Sequence, residues 1–279
     1  SKFVHYRPRV AVLNNLEFDH ADIFPDLGAI QTQFHHLVRT VPRSGLLVVN
    51  GGDSRLKQVL ARGCYTPVER FGVGDDWYAQ GVEPGGDFYL VRDGVELGKV
   101  EWSLLGEHNQ MNALAAIAAA RYFGVEPAQS MAALASFRNV KRRLEVVGEV
   151  GGITVYDDFA HHPTAIATTV AGLRRKVGRA RILAVLEPRS NTMKLGVMKA
   201  ELPGSLGDAD RVFCYTGGLG WDAAEALAPL GAKATTHEDL DELVTAIARE
   251  SQAGDHVLVM SNGGFGGVHG KLMAQLAHD

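Results

Sequence analysis

The sequence predicts an α/β protein of two domains, a parallel sheet with hairpins over residues 1–140 and a doubly wound parallel sheet over 141–279. Three observations predict it. Short β-branched runs alternate with helix-period segments, the pattern of parallel α/β construction. A chain of 279 residues with 46% apolar content supplies a sizeable core for two ordinary domains. The alternation lapses into a hairpin and two successive helices before 139–143, then restarts.

In order along the chain, 10–14 (VAVLN) reads as the first strand, followed by an acidic, proline-containing loop. A helix over about 27–41 and a strand over 45–50, ended by the turn formers Gly51, Gly52 and Asp53, complete a β-α-β unit. A helix over 54–61 and a strand over 67–71 follow, and 88–104 reads as a hairpin turning at Asp93-Gly94. The Ala-rich stretch 109–123 is strongly helical and is closed by Gly124, and 127–137 makes another helix. Beyond the boundary come a hairpin around Gly151-Gly152, a helix over 163–176 and strands over 181–186 and 211–215. Helices over 222–230 and 240–251, a strand over 256–260 and a final helix after the glycines near 263–267 complete the second domain.

The balance of 28 Lys plus Arg against 32 Asp plus Glu gives a net charge of −4 with no long run of either sign, so no nucleic-acid surface is expected. Cys64 and Cys214 lack metal-ligand or disulfide spacing, which fits a reducing cytoplasmic setting. No apolar run reaches the roughly 18 residues of a membrane span, and the start has no signal-peptide core.

Four constellations can carry chemistry. The segment NNLEFDH (14–20) follows the first strand, and ligand sites in open α/β sheets lie at the carboxyl ends of strands. Glu17, Asp19 and His20 can ligate a divalent cation such as magnesium, or the loop can simply cap the next helix. DDFAHHPT (157–164) packs Asp157, Asp158, His161 and His162 into six residues before a helix starting at Pro163. It can form a metal cluster, a general-base pair, a ribose and substrate contact set, or a capped turn. In GEHNQMN (106–112), His108, Asn109 and Asn112 lie within about one helical turn and can read the edge of a base, while Asn109 can equally be a cap. Lys141, Arg142 and Arg143 can clamp phosphates at the domain boundary or form a solvated basic turn.

The glycines at 263, 264, 266 and 267, followed by Gly270-Lys271, invite a phosphate-loop reading that fails on spacing. G-x-x-x-x-G-K-[ST] needs Gly where Phe265 stands and Ser or Thr where Leu272 stands. No other Gly-Lys-Ser or Gly-Lys-Thr occurs in the chain.

Taken in order, NNLEFDH, GEHNQMN, the Arg142-Arg143 pair before an apolar strand, and YDDFAHHPT resemble the Mur ligase family, which joins amino acids or peptides to peptidoglycan precursors. NNLEFDHADIF, LEPRSNTMKLG and SNGGFGGVHGKL are most similar to the branch that attaches a preformed tripeptide in peptidoglycan recycling. The resemblance runs the length of the chain. It implies the latter part of a central ATPase domain followed by a Rossmann-like carboxy-terminal domain. It also implies ATP and magnesium as cofactors, with UDP-N-acetylmuramate and the murein tripeptide L-alanyl-γ-D-glutamyl-meso-diaminopimelate as substrates. An alternative within the family is ligation of L-alanine.

By the same resemblance His20 would bind magnesium, with Asn15 and Glu17 nearby, and Asn109, His108 and Asn112 would contact adenine. Arg143 would reach the nucleotide phosphates or ribose and Asp158 the ribose hydroxyls. His161 and His162 would lie by the acyl phosphate and the incoming amine, and Arg189, Ser190 and Asn191 would face the diaminopimelate end. Gln31 stands near where several members carry a carbamylated lysine. The family's phosphate loop and an acidic metal ligand lie upstream of the DH motif, and residue 1 is Ser, so a truncated chain without ligase turnover is expected. Competing readings are a noncatalytic nucleotide- or peptide-binding module and a dinucleotide oxidoreductase, the latter lacking a G-x-G-x-x-G after its first strand.

Overall fold

Each half of the chain builds one six-stranded sheet around its own core. The computed structural model describes residues 2–72, 74–83, 86–102, 104 and 106–278. Ser1 and Ser103, within the predicted opening segment and hairpin, lie outside them. Two compact units, Ser1–Arg138 and Asn139–Asp279, divide the chain.

In the first unit, α1 (Phe3–Tyr6), β1 (Val10–Leu13), α2 (Leu27–Thr40), β2 (Leu46–Asn50), α3 (Ser54–Ala61) and β3 (Val68–Phe71) lead to β4 (Trp77–Gln80). Then come β5 (Phe88–Arg92), β6 (Val95–Val100), α4 (Glu107–Tyr122) and α5 (Pro127–Ala135). The strands lie in sequence order, parallel from β1 to β4 and antiparallel from β4 to β6. Period-two alternation divides β2 between two cores. Leu46 and Val48 pack with Phe71, Trp77 and Ala113, Leu114 and Ile117 of α4, while Leu47 and Val49 pack with Val38, Leu56 and Val59 of α2 and α3. The alanines of α4 keep that helix close to the sheet.

The second unit contains β7 (Glu145–Val150), β8 (Ile153–Asp158), α6 (Pro163–Val177), β9 (Ile182–Leu186), α7 (Asn191–Lys194) and α8 (Leu202–Ser205). They are followed by β10 (Arg211–Tyr215), α9 (Ala223–Leu227), β11 (Ala234–His237), α10 (Leu240–Glu250), β12 (His256–Met260) and α11 (Val268–Leu276). The strand order is β11-β10-β9-β12-β8-β7, parallel except for β7. Every residue of β9 is buried. Leu183 and Val185 pack with Ile247 of α10 and Leu272 of α11. The doubly wound α/β expectation therefore holds.

Two strands differ from the sequence reading. β4 and β11 are only four residues each, too short for period-two patterning to stand out. The helix predicted over 222–230 stops at Leu227, because Pro229 and the positive φ of Gly231 turn the chain into a 3-10 segment. Among the described residues no helix is long and apolar enough to cross a membrane.

Candidate functional site

In the second unit the carboxyl ends of β8, β12 and β9 are neighbours, and most of the predicted site residues gather there. β8 ends in Asp157 and Asp158, whose side chains alternate to opposite faces. Asp158 turns toward α6 and is 3% exposed. Its Oδ1 accepts from the Ala160 N–H at 2.8 Å and the Thr169 hydroxyl at 3.3 Å, and its Oδ2 from the Leu144 N–H at 2.7 Å. Burial pushes its pKa up, although the bonds from Ala160 and Leu144, the charge of Arg143 and the Thr169 hydroxyl pull the other way. Three donors thus take three of the carboxylate's roughly four acceptor sites, which leaves about one for the expected contact to a ribose.

Asp157 faces α11. It meets Arg142 Nε at 3.1 Å on one side and His269 Nε2 at 3.4 Å on the other. Burial lowers the His269 pKa; Asp157 opposes that shift. Arg142 also donates through Nη2 to the Ser261 carbonyl at 2.6 Å. Of the two arginines, then, Arg142 is tied down within its unit. Arg143 is exposed, and its guanidinium carbon lies 5.5 Å from the Phe159 ring centroid.

His161 reaches the same ring, edge to face at 5.3 Å. Its Nδ1 lies 2.9 Å from the Phe159 carbonyl. A carbonyl can only accept, so Nδ1 carries the proton and the neutral ring keeps its lone pair on Nε2. His162 occupies the N-cap position of α6 without a side-chain cap bond, and Pro163 starts the helix. Phe159, around which Arg143 and His161 meet, drew no attention in the sequence because an apolar residue inside DDFAHHPT carries no chemical signal.

At the end of β9, Arg189 lies across the backbone of Gly263, where an added Cβ would come within 2.5 Å of Nη1. Its Nη1 is 4.0 Å from Glu187. Glu187 in turn accepts from the buried Ser261 hydroxyl, and the Gly263 N–H donates to that hydroxyl at 2.9 Å. Ser261 thus joins β8, β9 and the glycine turn, a role invisible at sequence level because its partners lie far away in the chain. Ser190 is partly spent on structure, since its hydroxyl caps α7 by accepting from the Met193 N–H at 3.3 Å. Asn191 is exposed at the first position of α7.

The first unit holds the remaining candidates, at the carboxyl ends of β1 and β2 and at the start of α4. Gly106, not Asn109, is the N-cap of α4, so capping does not account for Asn109. Asn112 accepts through Oδ1 from Asn14 Nδ2 at 2.8 Å, and Asn50 Nδ2 donates to the Asn14 carbonyl at 2.9 Å. The Asn112 side-chain carbonyl thus ties α4 to the end of β1, and its Nδ2 is the group that would reach a base. His108 and Asn109 are half-buried on the first turn. Asp53, also missed in the sequence, caps α3 and accepts from the Leu16 N–H at 2.9 Å. Burial would raise its pKa, but the backbone bonds from Leu16, Arg55 and Leu56 and the charge of Arg55 hold it below the ordinary carboxylate value.

His20 is exposed, with a left-handed φ of 54°. Among the described residues no three His, Cys, Asp or Glu side chains converge as a metal site. Magnesium accompanying a nucleotide is held by one or two protein groups with water and phosphate oxygens, so His20 would serve as a single protein ligand. Gln31 is buried and bonded to Gln58 at 2.8 Å and to Arg62 at 2.8 Å.

Comparison with known proteins gives these positions a context. Residues 1–120 match the Mur ligase middle domain and residues 142–263 the Mur ligase, glutamate ligase domain. The chain is 54% identical over 99% of its length to the UDP-N-acetylmuramate–L-alanyl-γ-D-glutamyl-meso-2,6-diaminoheptandioate ligase of Escherichia coli K12, covering 61% of that protein. It is 49% identical over 99% of its length to the ligase of the same name from Haemophilus influenzae, covering 62% of it. A solved murein peptide ligase from Psychrobacter arcticus superposes on the whole chain with a TM-score of 0.75 at 41% identity, and 60% of that structure is covered. The chain thus spans about three fifths of the length of the curated relatives it matches. With both domain types matched in order and this identity along nearly all its length, the chain belongs to the Mur ligase family.

Proposed function

We propose that this chain provides the ATP-handling middle portion and the amine-accepting carboxy-terminal portion of a ligase that joins L-alanyl-γ-D-glutamyl-meso-diaminopimelate to UDP-N-acetylmuramate in peptidoglycan recycling. Two ligases named for that reaction, at 54% and 49% identity, support the substrate pair. The observation that carries the chemistry is the meeting of Arg143 and His161 on Phe159, outside the carboxyl end of β8.

The lactyl carboxylate of UDP-N-acetylmuramate attacks the γ-phosphorus of ATP, the bond to the β,γ-bridging oxygen breaks, and ADP leaves with that electron pair. The α-amine of the tripeptide's L-alanine then attacks the acyl phosphate, expelling phosphate and losing a proton. Arg143, a cation not locked in an ion pair among the described residues, offsets charge on the phosphoryl oxygens. His161, with its lone pair on Nε2, takes the proton from the amine, and His162 flanks it. Asn109 and His108 serve the adenine. Arg189, held over Gly263, receives a carboxylate of diaminopimelate, with Ser190 and Asn191 alongside.

The test is ADP release by the complete gene product, expected to require both UDP-N-acetylmuramate and the tripeptide. Faster turnover with L-alanine alone would reassign the amine substrate. Unchanged turnover in His161→Ala and His162→Ala would remove the base from the scheme.

A further inference from the structure

We infer that Glu187 is a specificity-determining residue that receives the distal ammonium of diaminopimelate, so that Glu187 and Arg189 together read the zwitterionic end of the tripeptide. The identity of the ligand rests on the ligase reading above; the seat itself rests on geometry.

Glu187 directly follows β9, at the carboxyl edge of the sheet where ligands of open α/β folds sit. Its N–H donates to the Met260 carbonyl at 3.1 Å, which fixes its backbone against β12, and its side chain is 13% exposed. An ionised carboxylate offers about four acceptor sites, and the Ser261 hydroxyl takes one of them, on Oε2. Among the described residues Oε1 meets one cation, Arg189, whose Nη1 stands at 4.0 Å, beyond hydrogen-bond length. A carboxylate whose work was to tether Arg189 would close that gap. Instead Oε1 is open to a donor, and the guanidinium, on a side chain 51% exposed, is open to an anion.

The turn after β12 holds both groups in place. The Ser261 hydroxyl that serves Glu187 also accepts from the Gly263 N–H at 2.9 Å, and Gly263 is the residue across which Arg189 lies. Phe265 anchors the far side of the turn, buried and with its ring centroid 5.7 Å from that of Tyr215. Inside the turn Asn262 Oδ1 is a second acceptor, buried and without a hydrogen bond among the described residues. Acceptors short of donors therefore stand beside one guanidinium, a composition that suits a ligand bringing an ammonium as well as a carboxylate. The distal carbon of diaminopimelate carries both, with nitrogen and carboxylate oxygen about 3 Å apart, against the 4.0 Å between Oε1 and Nη1. Lysine would bring the ammonium without the carboxylate, and would leave Arg189 unanswered.

Binding calorimetry on the complete gene product, with UDP-N-acetylmuramate and β,γ-methylene-ATP present, tests this with two peptides. One is the tripeptide; the other ends in L-2-aminopimelate, which keeps the distal carboxylate and lacks the distal amine. Wild type is expected to bind the analogue about tenfold or more weakly. Glu187→Gln is expected to weaken the tripeptide by about the same factor and to move the analogue less than about twofold, so the two changes are not additive. Wild type binding both peptides equally, or neither, overturns the inference. An equal effect of Glu187→Gln on both peptides, or no effect on either, would make Glu187 at most a tether for Arg189 and overturn it as well. If Glu187→Gln does not fold, Glu187→Asp, which keeps the charge and withdraws it by one methylene, decides by the same comparison: it should weaken the tripeptide several-fold and leave the analogue unchanged, and equal effects defeat the seat. Because binding needs no turnover, a complete gene product that binds in this pattern without releasing ADP would defeat the ligase reading alone.

Discussion

The indole Nε1 of Trp221 donates to the Met193 carbonyl at 2.7 Å, and its ring fills the space beside Gly196, where an added Cβ would lie 3.0 Å from Cδ1. Trp221 follows β10, whereas Met193, in α7, and Gly196 belong to the segment after β9 that carries Arg189, Ser190 and Asn191. One aromatic residue therefore sets the shape of a loop it does not belong to. Trp221→Phe keeps most of the packing and loses the donor. Its expected effects are about 1 kcal/mol of stability and a several-fold rise in the KM for the tripeptide, with the KM for ATP unchanged. Steady-state kinetics varying one substrate at a time would check this, and an unaltered tripeptide KM would show the loop to be indifferent to its strut.

Gly263→Ala tests the seat of Arg189. The new methyl would collide with Nη1, Cδ and Cζ of Arg189, the far end of a flexible chain, so the fold should lose less than about 1 kcal/mol. The displaced guanidinium should weaken tripeptide binding by roughly tenfold, or about 1.4 kcal/mol. In combination with Arg189→Ala, the glycine substitution should add little, because the group it displaces is already gone. Full additivity in that double-mutant cycle would separate the two positions.

Much of this arrangement could be read before any coordinates. The alternation of β-branched runs and helices gave the sheet order its raw material, and the density of Asp and His in 157–162 marked the end of β8. What escaped was direction. Asp157 and Asp158 are indistinguishable as letters, yet strand alternation sends one to Arg142 and His269 and buries the other under α6. Ser261, Glu187 and Trp221 escaped because each acts through partners 28 to 119 positions away, a separation no local pattern reports. The tie between Asn112 and Asn14 escaped for the same reason, the two being 98 residues apart.

Asp53 should govern the acid stability of the first unit. Its folded-state pKa lies below the ordinary value of 3.8, so its stabilisation is complete above that value and is lost as pH falls through the lower folded-state value. Asp53→Asn keeps an oxygen for the α3 cap but turns an NH2 group toward the Leu16 N–H and removes the charge beside Arg55, and should cost about 1–2 kcal/mol at neutral pH. Urea unfolding across a pH series should show the difference between wild type and variant shrinking once pH drops below 3.8. A difference independent of pH would mean that the carboxylate's charge contributes nothing.

The 279-residue chain by itself should not turn over ATP. Its Gly270-Lys271 pair, the closest approach to a phosphate loop in the sequence, lies within α11, where Lys271 Nζ meets Asp241 of α10 at 2.5 Å. That contact is an exposed pair between two helices, and Leu272 beside it is fully buried in the core, so Gly270-Lys271 has neither the loop backbone nor the hydroxyl that a phosphate cradle uses. Catalysis of phosphoryl transfer is almost wholly positioning and charge stabilisation, and without such a cradle the rate with both substrates present should fall at least about a thousandfold below that of a ligase possessing one. ADP release from the purified chain measures this directly. Turnover at a full ligase's rate would mean that the nucleotide is held by some other part of these residues, and Lys271→Ala would then be the first variant to make: loss of activity would point to the α11 lysine after all, and retention would exclude it.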